Sequence, residues 1–246
     1  EVPVEVKREE EMMRRVGREL RGSEREENDG EVRMERRSFS IDGVLARSRR
    51  IVIRGGAGSG KTTLSRWIAV RSANASFESP LEGWNNTTPF LIPLRECVKE
   101  GIGFPAPEDF LKYSAPNVSG MMPQGWVHEQ LESGQAVVLV DGVDELPREQ
   151  RETMLEKLME LVKLYPASRY LIASRPAAVK GEEWQTWGKW IAQENFDDAL
   201  LQAMSPTQVE SFIYHWHDAL AKSVMDEEEK KAIQERLFWE IISRMM

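Results

Sequence analysis

The sequence predicts an α/β fold: a parallel β-sheet of about five strands flanked by helices in an α/β/α sandwich, followed by a small C-terminal helical subdomain. Three observations carry the prediction. Short apolar runs recur at 51–54, 89–94, 136–140 and 169–173, apolar on both faces as buried parallel strands are. The segments between them are longer and show helical periodicity. A chain of 246 residues buries one sizeable core, so one α/β domain with a helical appendage fits better than two independent domains.

Residues 1–39 are dominated by charge. They are expected to form a short helix with a stripe at Met12, Met13, Val16 and Leu20, then a mobile surface loop through the turn-rich stretch Gly22 to Gly30. The core is expected over 40–204. Its first strand is Ile51 to Arg54 and its second Pro89 to Leu94; Ala136 to Val140 and Arg169 to Ala173 follow. Between the last two, Met154, Leu155, Leu158, Leu161, Val162 and Tyr165 share one helical face that Pro166 terminates. A fifth strand is expected near Ala199 to Met204. Ser205, Pro206 and Gln208 then form a capping box with proline at the first helical position. The helix that opens there has the apolar stripe Val209, Phe212, Ile213, Trp216 and Leu220, and a further helix is expected from Asp226, so 205–246 reads as the start of a helical subdomain. The chain begins with Glu1 and ends within an amphipathic stretch, Leu237 to Met245, and is therefore expected to be part of a larger protein.

Composition narrows the function classes. Hydrophobic residues make up 41% and charged residues 30%, well away from the composition of a disordered chain. The formal net charge of -8 argues against a basic nucleic-acid-binding surface. A single cysteine, Cys97, cannot form an internal disulfide, and three histidines provide no zinc-ligand spacing; a reducing, cytoplasmic setting is expected. No apolar run approaches the roughly 20 residues that span a bilayer, so no membrane association is expected.

The chemistry is concentrated in three segments. In the first, Gly55-Gly56-Ala57-Gly58-Ser59-Gly60-Lys61-Thr62-Thr63, the pattern of Gly, four residues, Gly, Lys, Thr stands after a predicted strand and before a helix, the context of a phosphate-binding P-loop. Triphosphate oxygens must be met by inward-pointing backbone N–H groups, and a glycine-rich loop bends tightly enough to present them. Gly60 and the helix start add free amides and a positive dipole. Lys61 can reach the β- and γ-phosphates, and the Thr62 hydroxyl is placed to ligate Mg2+.

The second segment, Ala136-Val-Val-Leu-Val-Asp141-Gly142-Val143-Asp144-Glu145-Leu146, puts Asp141 at the carboxyl end of a strand, where α/β sheets bind ligands. Asp141 is expected to hold Mg2+, directly or through water. Asp144 and Glu145 can orient or deprotonate an attacking water, or cap the helix that starts near Pro147. The third segment, Tyr170-Leu-Ile-Ala-Ser-Arg175-Pro176, ends a strand in an arginine. Arg175 can sense the γ-phosphate from there, or pair with a carboxylate at the sheet edge. Pro176 stops the strand in either case.

With Pro89-Phe-Leu-Ile-Pro-Leu-Arg95 and Met204-Ser-Pro-Thr-Gln-Val209 added to these three segments, the chain from about Ser40 to Trp216 resembles a NACHT domain of the signal-transduction ATPases with numerous domains. The small residue after the aspartate and the acidic pair that follows carry the likeness. The resemblance implies a nucleotide-gated switch that binds ATP or ADP with Mg2+, with GTP an open alternative, and hydrolyses ATP slowly. It implies that Asp144, Glu145 and Arg175 act in catalysis. It also implies self-association of the full-length protein upon activation, in innate immunity or antiphage defence, with sensor and effector domains outside this chain. A non-enzymatic nucleotide-dependent module and a phosphotransferase are the rival readings; Asp144 and Glu145 speak against the first, and no arginine-rich lid supports the second.

Other features read as structural. Trp184, Trp187 and Trp190 are expected to pack rather than bind a partner. His215 and His217, two apart on a helix, point away from each other, and Cys97 has no neighbouring histidine to activate it.

Overall fold

A computed structural model describes residues 3–7, 37–175, 182–202 and 204–224. The chain divides into a large unit, Pro3–Gln202, and a second made of Glu1–Val2 with Ala203–Met246.

The large unit is built on one sheet. In chain order its elements are β1 (Pro3–Lys7), β2 (Arg37–Ser40), α1 (Ile41–Arg47), β3 (Arg50–Arg54), α2 (Lys61–Ala73), β4 (Thr88–Pro93), α3 (Leu94–Lys99), α4 (Phe110–Ser114), α5 (Trp126–Glu132), β5 (Ala136–Asp141), α6 (Arg148–Leu164), β6 (Arg169–Ser174), α7 (Glu182–Gln193) and β7 (Asp197–Leu201). Strand order is β2-β1-β7-β3-β6-β5-β4. The five strands from β7 to β4 are all parallel. The fold is therefore the expected α/β sandwich, with the expected number of parallel strands. Two further strands, β1 and β2, extend the β7 edge antiparallel, and the sequence reading did not place them. The helix foreseen at Met12 to Leu20 and the loop from Gly22 to Gly30 lie outside the described residues, as do Pro176 and the helix foreseen from Asp226.

Each strand sends alternate side chains to opposite faces, and each face has its own core. Val138 and Val140 of β5 join Val52, Phe90, Ile92, Tyr170 and Ile172 under α3 to α7. Val137 and Leu139 join Ile51, Ile53, Leu171 and Ala199 under α1 and α2. The stripe Met154, Leu155, Leu158, Leu161 and Val162 faces the first of these cores. Trp187 and Trp190 are buried there too, at 2% exposure each and edge to face. This is packing; the Trp184 side chain lies outside the described residues.

In the second unit, α8 (Pro206–Val224) opens with the expected reciprocal cap. The Ser205 N–H donates to Gln208 Oε1 at 2.8 Å and the Gln208 N–H to Ser205 Oγ at 3.3 Å. Ile213 is buried, whereas Phe212 of the same predicted stripe is half-exposed.

Candidate functional site

The backbone leaves the sheet at the carboxyl end of β3. Gly55 is buried and its N–H still donates to Ser174 O of β6 at 3.2 Å. A Cβ on Gly55 would collide with the Ser59 side chain and lie 3.3 Å from Leu201 Cβ of β7, so this glycine is required by lack of room. Gly58 and Gly60 are required by conformation, with φ of 73° and 94°, in the left-handed region that side chains disfavour. The loop turns back, and α2 begins at Lys61 with Gly60 as its N-cap. No side chain caps those amides and no acidic residue lies in the first turn. The first-turn N–H groups and the positive end of the helix dipole are thus left to an external acceptor.

Lys61 folds back over the loop. Its Nζ donates to Gly55 O at 2.7 Å and Gly56 O at 2.8 Å, with Ser59 Oγ at 3.4 Å. Burial lowers its pKa from the ordinary lysine value; the charge of Asp144 opposes that shift, Arg175 reinforces it, and Asp141 opposes it. The ends of three strands, β3, β5 and β6, therefore bring four charged groups within electrostatic reach of one another. Thr62 and Thr63 are exposed on the first turn of α2.

Asp141 ends β5. It is level with Ala173 of β6, which is level in turn with Ile53 of β3. At roughly 4.8 Å per strand, Asp141 stands about 10 Å to the side of β3, across the intervening β6. After it, Gly142 turns at φ 85° into a 3-10 turn over Val143–Glu145. The Glu145 N–H donates to Gly142 O at 2.9 Å. The Glu145 carboxylate lies back toward Gly142, where a Cβ would be 3.4 Å from its Oε2.

Neither acid caps α6. The N-cap is Pro147, without a side-chain cap. Asp144 instead engages Arg175: its Oδ2 is 2.7 Å from Arg175 Nε, and its Oδ1 accepts the Arg175 N–H at 3.2 Å. Asp144 is 10% exposed and Arg175 50%. Of the two alternatives for Arg175, the carboxylate pairing is present, and Asp144 supplies it.

Two supporting contacts were not foreseen. Leu201 closes the space beside Gly55, and Arg54, just before the loop, makes a two-pronged ion pair with Asp198 of β7 at 2.6 and 2.7 Å. The apolar run at 199–204 marked a strand without revealing which strand it would adjoin.

Cys97 is fully buried, and burial pushes its thiol up to about 11, which keeps it protonated and unreactive. His215 is exposed and meets the Tyr214 ring edge to face, with ring centroids 5.7 Å apart; the His217 side chain lies outside the described residues. Among the described residues no group of three or more His, Cys, Asp or Glu side chains is arranged to hold a metal ion. No described helix is long and apolar enough to cross a membrane.

In comparison with known families, the chain matches the NACHT domain over residues 49–219. This stretch is well over half of the sequence and contains the glycine loop, Asp141, the acidic pair and Arg175. A search of curated proteins finds no match.

Proposed function

The chain belongs to the NACHT family of P-loop NTPases, and from that premise we propose that it binds ATP or ADP together with Mg2+ and hydrolyses ATP slowly. In this reading it is the cytoplasmic switch of a larger innate-immune or antiphage defence protein, and nucleotide exchange controls that protein's self-association. GTP is the alternative nucleotide.

The observation that carries the reading is Lys61 at the mouth of a glycine loop, on the first turn of α2, in the fields of Asp141, Asp144 and Arg175. The loop residues from Gly55 to Gly60 and the amides of Lys61, Thr62 and Thr63 cradle the phosphates. Lys61 exchanges the carbonyls of Gly55 and Gly56 for phosphate oxygens, a stronger partner for an ammonium than a neutral carbonyl. The Thr62 hydroxyl and the Asp141 carboxylate are the hard oxygen donors that suit Mg2+. When bound, Mg2+ neutralises charge across the β- and γ-phosphate oxygens. Asp144 and Glu145 stand beside Asp141 on one tight turn, where a carboxylate can orient water or take its proton. Arg175, half-exposed, can turn from Asp144 to a γ-phosphate.

Equilibrium binding of a fluorescent adenine nucleotide tests the cradle. Lys61→Ala is expected to weaken binding about 10- to 100-fold, since hydrogen bonds to charged groups contribute about 1.5–3 kcal/mol. Asp141→Asn should chiefly weaken the Mg2+ dependence of binding, and Glu145→Ala should slow single-turnover hydrolysis while binding persists. Unchanged affinity in the Lys61 variant would overturn the assignment.

A further inference from the structure

We propose that Arg151 is a positioning residue for the acidic turn that carries Asp144 and Glu145. Between Asp141 and α6 the backbone runs through the left-handed Gly142, a 3-10 turn, and the extended residues Leu146 (φ -72°, ψ 138°) and Pro147 (φ -54°, ψ 146°). The turn closes on itself through the Glu145 and Leu146 N–H groups, which donate to Gly142 O and Val143 O, and the carbonyls of Asp144 and Leu146 take a side-chain donor instead. Arg151, within the first turns of α6, reaches back to it. Its Nε donates to Leu146 O at 3.0 Å, and its Nη2 reaches Asp144 O at 3.5 Å.

A guanidinium presents its donors in a rigid planar fork. By bridging these two carbonyls it sets the angle between their peptide planes, and with it the direction of the Asp144 side chain. That side chain holds both the N–H and the Nε of Arg175. Asp144 is thus gripped by its backbone from α6 and by its carboxylate from the end of β6. Glu145, the next residue, inherits the same placement over Gly142. The inference rests on the proposed NTPase reading for what the turn does.

The test compares Arg151→Gln and Arg151→Lys with the unaltered chain in fluorescent-nucleotide affinity, single-turnover hydrolysis and unfolding temperature. Arg151→Gln is expected to slow hydrolysis about tenfold while affinity stays within about threefold, because the phosphate cradle is untouched. Arg151→Lys, which can serve one carbonyl at a time, should recover an intermediate rate. In an Asp144→Asn background Arg151→Gln should add less than about twofold, since the group it positions is already altered. A Gln variant with the unaltered rate, equal losses of affinity and rate, or full additivity with Asp144→Asn would each overturn the proposal. Should the Gln variant fail to fold, a Lys variant that hydrolyses at the unaltered rate does the same. Failure of the unaltered chain to bind nucleotide would instead strike the NTPase reading beneath it.

Discussion

At Gly142 the backbone conformation itself disfavours a side chain. Its φ of 85° lies in the left-handed region, while a Cβ there would meet the Glu145 carboxylate only in ordinary contact, at 3.4 Å. Gly142→Ala is expected to cost about 1–2 kcal/mol through the left-handed conformation alone, seen as a lower denaturation midpoint. It should also slow hydrolysis more than it weakens nucleotide binding, because backbone strain at this residue disturbs the turn that carries Asp144 and Glu145 and leaves the phosphate loop intact; unaltered stability and rate would contradict this. At this scale much was legible in the sequence. Gly58 and Gly60 take the left-handed turns that a glycine-rich loop before a helix requires, and Lys61 opens that helix. What could not be read was partnership. Asp144 could have capped α6 or served elsewhere, and its engagement with Arg175, 31 residues away in the chain, depends on β5 and β6 being neighbours. Arg151 carries no local signal at all, being one more charged residue on an amphipathic helix.

Among the elements, β7 shows most clearly how charge can hide a strand. Asp197 and Asp198 are half-buried at its start, whereas the sequence placed the strand at 199–204. Both are satisfied: Asp197 accepts the Ser48 hydroxyl and lies 3.8 Å from Arg47 Nε, and Asp198 pairs with Arg54. The pair is only 14% and 13% exposed, so its two charge-assisted hydrogen bonds are largely shielded from water. Asp198→Ala, which removes both, is therefore expected to lower stability by about 1.5–3 kcal/mol, measured by urea denaturation. A change below about 0.5 kcal/mol, usual for an exposed surface position, would show that the pair contributes little. The strands β3, β5 and β6 were readable because they are central and apolar on both faces. The two that were missed, β1 with its sequence Pro-Val-Glu-Val-Lys and β2 with Arg-Ser-Phe-Ser, are short and interrupt their apolar residues with polar ones. They lie at the antiparallel end of the sheet, where pairing partners rather than apolar runs define a strand.

For the molecule as a whole, burial of ionisable groups predicts alkaline sensitivity. Burial raises the Cys97 thiol from 9.0 to about 11 and holds the Tyr170 hydroxyl above its ordinary value of 10.0. Tyr170 donates to Tyr165 O at 2.9 Å and Leu161 O at 3.3 Å, which tie β6 to the end of α6. Both groups keep their protons longer in the folded chain than in the unfolded one. Their contribution to stability is thus complete below about pH 9 and is lost as pH rises through their folded values. The unfolding temperature should fall between about pH 9 and pH 11, and Tyr170→Phe should flatten part of that fall while leaving the Cys97 share. A level profile across this range would contradict the burial of both groups.

Local chemistry was enough to specify the tight loop, the helix opening at Lys61 and the acid at a strand end, since backbone curvature, helix initiation and strand length are set by residues adjacent in the chain. Strand order was decided only in three dimensions. It sets β6 between β3 and β5, brings Arg175 to Asp144 and packs Leu201 against Gly55. Contacts between distant segments depend on which apolar faces can be buried together, and many strand arrangements satisfy the same local pattern until the whole core is packed.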